Sequence, residues 1–525
     1  MDKPTKGTFR LAEREFPAVT WYTDPALRKT YICLMFVVMT SATNGFDGSM
    51  VNGLQSLKPW QDYFNHPTGS LLGLFACIMS VGSLCALPIT PYIADGWGRR
   101  WGIIIGCIIM IFGVILQAIS INFQMFVAAR FFIGFGVAIA HGASPLLICE
   151  LVHPQHRATF TTIYNTTWNL GSIIAAWLTF GTNHLDSNWS WRIPSIVQAL
   201  PSIVQLTFVW FVPESPRFMV AHGQVEKAHQ TLANVHANGN LDDEVVLLEI
   251  AEIKDTLRLE KEVESNGWME MIRTKGNRHR LYILLTLGLF SQWSGNGLAS
   301  YYLALVLEGV GITNSNTQLI INGCLQIMNL IVSFGFCFVV DIFGRRTLFL
   351  VSTGGMLCAF TVWTACAGSY AKTGNVGTGN TVIAMIFIYY VFYNFAWSGL
   401  LVGYASEILP YNIRAKGMTL MFLMVDIALF FNQYVNPVAI DGIGWKYYIV
   451  YCGWLAIEFA VVYFLYVETR YTPLEEITRH FDGENAVLGG PVATEKGRAL
   501  AMELGLDNDS TEGEKRFGSV VQKEV

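Results

Sequence analysis

Asp95-Gly96-Trp97-Gly98-Arg99-Arg100 and Asp341-Ile342-Phe343-Gly344-Arg345-Arg346 are the same Asp-x-x-Gly-Arg-Arg string, met twice in one chain. Each follows one long apolar stretch and precedes another. A second pair of matches flanks them: Glu150-Leu151-Val152 leads to Arg157-Ala158, and Glu407-Ile408-Leu409 leads to Arg414-Ala415, with the same Glu-to-Arg spacing. A looser third match joins Pro213-Glu214-Ser215-Pro216-Arg217 to Glu468-Thr469-Arg470. Independent coincidences at corresponding places describe a duplicated chain, and the apolar stretches between them describe where it lies.

Those stretches recur about twelve times, each roughly 20 residues long, which is the length needed to cross about 30 Å of hydrocarbon as a helix. They fall near 30-54, 70-93, 102-121, 124-149, 159-181, 195-212, 281-305, 317-340, 347-369, 381-406, 417-438 and 446-466. Composition agrees. Of 525 residues 52% are hydrophobic and 14% charged, against roughly 25% charged in soluble domains. A mean hydropathy of +0.40 excludes a disordered chain. The net charge of -5 leaves no basic stripe for nucleic acid. The expected fold is an all-α integral membrane protein of twelve transmembrane helices in two pseudo-repeated six-helix bundles. The bundles cover 30-212 and 281-466, with a short N-terminal segment at 1-29. Between them, 213-280 is polar, with Val246, Ile250, Ile253 and Leu257 at helical spacing, and reads as a helical linker. The tail, 467-525, has a disordered composition from about Thr494. Cysteines such as Cys77, Cys107 and Cys358 sit in apolar runs without metal-binding spacing, so no metal or cofactor is expected. The first 29 residues lack the apolar core of a cleavable signal, so the first helix is expected to direct insertion.

Lys and Arg are retained on the cytoplasmic side of a membrane. Placing both termini and the linker inside leaves only Lys58, Arg192, Lys372 and Lys446 outside, whereas the reverse exposes both Asp-x-x-Gly-Arg-Arg loops. The expected location is the cell membrane, multi-pass, with both ends cytoplasmic. The sequon at Asn188 then lies outside and is a candidate for glycosylation.

Taken together, the paired loops, Arg130 to Arg157, Pro-Glu-Ser-Pro-Arg and Glu468-Thr469-Arg470 resemble the signatures of major facilitator superfamily sugar porters, over nearly the whole chain. Asn44-Gly45-Phe46-Asp47-Gly48-Ser49, Ser291 to Gly297 and Tyr404 to Pro410 resemble fungal lactose-permease-like sugar:proton symporters. The resemblance implies alternating access between two rocking halves around a central site. Asp95, Arg99, Arg100, Glu150, Arg157, Glu214, Arg217, Asp341, Arg345, Arg346, Glu407, Arg414 and Glu468 are then candidates for ion pairs across the cytoplasmic seam, an inner gate; the alternative is that the arginines serve topology alone.

Asp47 lies deep in the first span, where a carboxylate costs about 2.5 to 3.5 kcal/mol. Its flanking glycines, Gly45 and Gly48, permit local unwinding. Arg130 is its natural partner. A buried carboxylate beside an arginine keeps its charge, and one left alone takes up a proton, so a pair that separates is a proton switch; a permanent fastening of two spans is the alternative. Proton-coupled sugar porters carry an acid and an arginine at these places. Asp426, Glu458 and His141 also lie at depth, with no role separable by sequence.

Sugars present hydroxyls and an apolar face, and amides with aromatic rings suit both. Asn165, Gln292, Trp293, Asn296, Asn322, Trp397 and Asn432 are the candidate substrate contacts, and the resemblance places Tyr301 and Tyr302 at the outer gate. Singly, each is as well explained by helix packing. The chain departs from the usual Gln-Gln-x-Ser-Gly-x-Asn pattern: Ser291 replaces the first Gln, and Asn296 precedes Gly297, a step of about 100° on a regular helix. Lost bulk at Gly297 and Gly399 suggests room for a second sugar ring. No catalytic motif is present, and an enzyme is not expected. The function expected is import of a sugar (lactose, another disaccharide or a hexose) by proton symport, with sugar, protons and the lipid bilayer as partners, no nucleic acid, and a monomer as the working unit. The alternatives are a facilitative hexose uniporter, a carrier of a polyol or other non-sugar metabolite, and a transporter-like nutrient sensor.

Overall fold

The computed structural model describes residues 8–11, 14–264, 268–337 and 343–469, together with Phe481. Helices cover each of the long apolar stretches. In chain order, segment one is Pro25–Ser56, two is Gly69–Ala86 continued by Thr90–Gly96, three is Arg99–Ala118, four is Phe123–Leu151 and five is Arg157–Thr182. Segment six is Trp189–Val197 with Leu200–Phe208, and seven is Lys275–Trp293 followed by Asn296–Tyr301 and Leu303–Glu308. Eight is Ser315–Cys337, nine Arg345–Thr373, ten Val376–Ala396 with Leu401–Ile408, eleven Tyr411–Ile443 and twelve Tyr447–Leu465.

Local chemistry sets several ends. Asp24 accepts from the Ala26 and Leu27 amides while Pro25 opens segment one, and Asn122 caps segment four through the Met125 amide. Among the described residues, 8 helical stretches are long and apolar enough to cross a membrane. Segments one, five and seven are not among them. Segment one carries Asn44, Asp47, Asn52 and Gln55, segment five Thr161, Thr162, Asn165 and Asn169, and segment seven opens on Lys275 and Arg278. Spans that line a polar interior are diluted in this way, because only their outer faces need to match lipid.

Packing repeats with the sequence. Three packs on four, one on five, two on four and three on six; in the second half nine packs on ten, seven on eleven, eight on ten and nine on twelve. These are the same partners after a shift of six. Between halves, two meets eleven and five meets eight, again one contact and its symmetry mate.

The linker forms helices Pro216–Ala221, Val225–His236, Glu244–Glu264 and Glu270–Arg273. It is held to the first half by a buried cluster that the sequence did not indicate. Glu249 accepts from Arg157 Nη2 at 3.0 Å and meets His236 Nδ1 at 2.6 Å, and His236 Nε2 lies 3.1 Å from the Leu151 carbonyl. Burial alone would push the Glu249 carboxyl up, but His236 and Arg157 together hold it below the usual carboxylate range. Its contribution is therefore present above the ordinary carboxylate range and lost as pH falls through the depressed value. Glu249→Ala is expected to remove about 3 kcal/mol at pH 7 by leaving the buried His236 ring and the partly exposed Arg157 guanidinium without their carboxylate. It should lower the thermal midpoint, by an amount that shrinks towards acid pH; an unchanged midpoint at pH 7 would contradict this. The N-terminal segment, for which no strand was expected, forms an antiparallel hairpin of Thr8–Leu11 and Arg14–Pro17. Phe9 and Phe16 from it pack against Val245 and Leu248 of the linker.

Candidate functional site

Asp47 and Arg130 meet at the centre of the first half. Arg130 Nη1 and Nη2 donate to the two Asp47 oxygens at 3.2 and 3.0 Å, and their side chains are 4% and 1% exposed. This bidentate pair is supported on every side. Arg130 Nε donates to the Phe75 carbonyl at 3.0 Å, the guanidinium lies 4.7 Å over the Phe75 ring, and Gln198 Nε2 donates to Asp47 Oδ1 at 2.8 Å. Gln198 receives a bond in turn from Gln117 at 3.3 Å. Sequence reading missed Gln198; an amide in the apolar run of segment six was the available signal. Gln198→Leu removes an amide donor from a buried carboxylate and is expected to lower the thermal midpoint of the detergent-solubilised protein. An unchanged midpoint would reduce Gln198 to a packing residue.

The helix does not unwind at Asp47. Segment one is continuous from Pro25 to Ser56, and Gly45 serves another purpose. A Cβ there would lie 1.9 Å from the Trp168 carbonyl oxygen, as one on Gly171 would from that of Ala42. These glycines bring segments one and five into backbone contact, and Ser172 Oγ donates to the Gly45 carbonyl at 2.8 Å.

Segment seven does break. Gly295 takes a left-handed φ of 101°, so the regular-helix step expected between Asn296 and Gly297 does not apply. A broken helix leaves carbonyls that must find donors inside a membrane. Tyr393 Oη donates to the Ser291 carbonyl at 2.8 Å, Tyr389 Oη to Ser294 at 2.9 Å and Tyr390 Oη to Asn296 at 2.7 Å. Asn432 Nδ2 donates to the Gln292 carbonyl at 2.5 Å. Much of the amide and aromatic cluster thus supports the break.

The candidate sugar contacts divide accordingly. Asn432 is also bonded to Asn436 and Tyr451, and Trp397 donates to Thr353 at 3.2 Å within the second-half core. Asn322 reaches Ser49 at 3.5 Å and Gln326 at 3.3 Å. The Trp293 ring lies 4.7 Å from that of Trp454, tilted by 44°. Asn296 donates to Tyr393 and to the Ser291 carbonyl, but its Oδ1 is buried without a partner, leaving an acceptor free for a hydroxyl. Gln292 is half-buried and Asn165 exposed. Gly297 does not open space, since a Cβ there would meet Asn432 Nδ2 at 2.3 Å; Gly399 has nothing within 4 Å.

The second break, at Tyr301 and Tyr302, is held across the halves. Asn52 donates to the carbonyls of Ala299 and Ser300 at 3.0 and 2.6 Å and accepts from the Leu303 amide at 3.0 Å. Gln55 donates to the Tyr301 carbonyl at 2.7 Å, and Tyr302 Oη donates to the Gln433 carbonyl. Asn52 and Gln55 were not anticipated. The same end is closed by Ser80 to Gln433 at 2.7 Å and Asn183 to Asn316 at 2.8 Å. Asn188 is half-buried before a helix, and Ser190 of its sequon is fully buried.

Among the described residues, several pairs at the Arg-rich end join groups of one half. Arg99 binds Asp95 at 3.1 Å and Glu150 at 3.2 Å, with Arg217 adding its charge near Glu150. Arg345 binds Glu407 at 3.1 Å. Glu214 accepts from the Arg100 amide at 3.2 Å, and Glu468 from the Arg345 and Arg346 amides at 2.7 and 3.2 Å. Each carboxylate thus caps the N-terminus of the helix that opens at the paired arginines, Arg99 or Arg345. A Cβ on Gly98 or Gly344 would lie 2.4 or 2.2 Å from that carboxylate. Room for a cap, more than turn geometry, explains Gly344, whose φ is -67°. Arg157 goes to the linker, and Arg414 to the Leu409 carbonyl at 3.1 Å. Asp341 lies outside the described residues.

The family profile described as "Sugar (and other) transporter" matches residues 33–481. A high-affinity glucose transporter of Kluyveromyces lactis is 24% identical over 90% of this chain and 88% of its own length. A quinate permease of Emericella nidulans is 26% identical over 86% of this chain and 89% of its own. Among solved structures, the inward open conformation of the xylose transporter XylE from E. coli superposes with a TM-score of 0.71 at 20% identity, covering 85% of this chain and 99% of that one.

Proposed function

Because the chain belongs to the sugar (and other) transporter family, we propose that it imports a sugar by proton symport, with Asp47 as the proton acceptor and Arg130 as its counter-charge. The observation that carries this reading is the buried, bidentate Asp47–Arg130 pair with Gln198 as a third ligand. Taking an ion pair out of water costs several kcal/mol per ion, and a facilitator gains nothing from it in return. The repeated packing supports twelve crossings in two bundles, and the Lys and Arg distribution supports a cytoplasmic place for both termini and the linker. In this orientation the bonds of Asn52, Gln55, Ser80 and Asn183 close the outer side. On the Arg-rich inner side several pairs lie inside one half, which suits a side that opens while the outer bonds hold.

Sugar binds in this reading between Gln292, the free Asn296 Oδ1 and the Trp293 ring, with a disaccharide extending towards Gly399. Rocking of the halves then releases it inside, and protonation of Asp47 loosens its tie to Arg130 in step. The test is uptake of labelled lactose and glucose by a yeast lacking its own sugar carriers, at external pH 5, with and without a protonophore. Accumulation that collapses with the protonophore is expected. Protonophore-insensitive equilibration would make the pair a fastening and the protein a facilitator.

A further inference from the structure

Segment eleven turns one face to the first half. Gln433 on it accepts from Ser80 of segment two, and the Tyr434 carbonyl and Pro437 ring lie 2.7 and 3.4 Å from where a Cβ on Gly73 would sit. Seven residues before Gln433, and within about 20° of it around the helix, stands Asp426. It lies about 10 Å nearer the Arg-rich end. The first half no longer covers the face there: Asp426 is only half-buried, and Phe422, one turn further on, is 42% exposed. No cationic side chain pairs with Asp426 among the described residues, in contrast to Asp47 and the carboxylates at the helix ends.

We propose that Asp426 lines the path between the halves and selects neutral polyhydroxylated substrates over anionic ones. The inference rests on the sugar-transport reading and adds the charge class of the substrate to it. An ionised carboxylate is an acceptor with two oxygens, matched to neighbouring hydroxyls of a sugar ring. The same charge repels a substrate that carries its own carboxylate, which is discrimination by an introduced repulsion. The insertion cost of an aspartate at this depth, about 2.5 to 3.5 kcal/mol, is met by water in the path between the halves.

The test is competition at external pH 7.5 against labelled glucose or lactose uptake by glucuronate and quinate, for the full-length chain and for Asp426→Asn. The unmodified protein should ignore both acids. Asp426→Asn should raise the apparent KM for the sugar roughly tenfold and let the acids compete roughly tenfold better, with Asp426→Glu restoring exclusion. Unchanged KM and unchanged exclusion in Asp426→Asn overturn the proposal. So does lost accumulation at unchanged KM, which would make Asp426 a proton carrier. Should Asp426→Asn fail to reach the surface, Asp426→Ser is read by the same criteria. If the unmodified protein carries an acid and no neutral sugar, it is the sugar reading that fails, a result distinct from the others.

Discussion

Asp47→Asn is expected to abolish accumulation of sugar against its gradient while leaving exchange of labelled for unlabelled sugar across the membrane. The amide is nearly isosteric and Arg130 keeps the Phe75 carbonyl and ring, but its guanidinium loses a counter-charge, so the variant is also expected to be less stable. Under the symport proposal, what is lost is the ability to bind and release a proton, and with it the thermodynamic link between the proton gradient and sugar. The ratio of internal to external sugar should fall to roughly one, because a carrier without coupling can only equilibrate. Counterflow in vesicles separates this from misfolding. If Asp47→Asn still concentrates sugar in a protonophore-sensitive way, the proton site lies elsewhere, with the buried Glu458 the next residue to examine.

Gly45→Leu should have the other large effect, on the fold itself. The position allows no side chain: the first carbon would already overlap the Trp168 carbonyl at 1.9 Å and crowd Ser172 Oγ at 3.1 Å. Relief would require segments one and five to separate. That would break the Ser172 bond to the Gly45 carbonyl and displace Asp47, two residues further along the same helix. The expected result is loss of the monodisperse peak when the detergent-solubilised protein is run on size exclusion, with little protein at the surface. Gly403→Ala, at a helical position with nothing within 4 Å of a Cβ, is the matched control and should behave as the unmodified chain. A monodisperse, transporting Gly45→Leu protein would show that the backbone contact is dispensable.

Much of the site was legible because membrane helices obey strong local constraints. A charge in an apolar run has few explanations, so Asp47 and Arg130 could be paired across 83 residues of sequence. The duplicated loops likewise pointed to duplicated packing. The roles of the amides were not legible. Asn432 looks like a sugar ligand in a one-dimensional reading, but with Tyr389, Tyr390 and Tyr393 it satisfies carbonyls freed where segment seven breaks at Gly295. A hydrogen-bonding side chain carries no record of which partner it will meet. Gln198, Asn52 and Gln55 were overlooked for the same reason, as was the Arg157–Glu249–His236 cluster, whose members come from three separate regions.

The sequence by itself determined the membrane class, the internal repeat, the likeness to sugar porters and the identity of the charged pair. Composition, periodicity and the cost of burying charge act residue by residue and can be read in order along the chain. Only the tertiary structure decided that Gly45 brings two helices together instead of unwinding one, and that Gly344 makes room for Glu468. It also decided that Arg99 and Arg345 of the paired loops bind carboxylates of their own half, and that Asp426 is half-buried while Gln433, two turns along the same helix, is covered. Each of these depends on which surfaces meet, and two segments far apart in sequence settle that only when they pack.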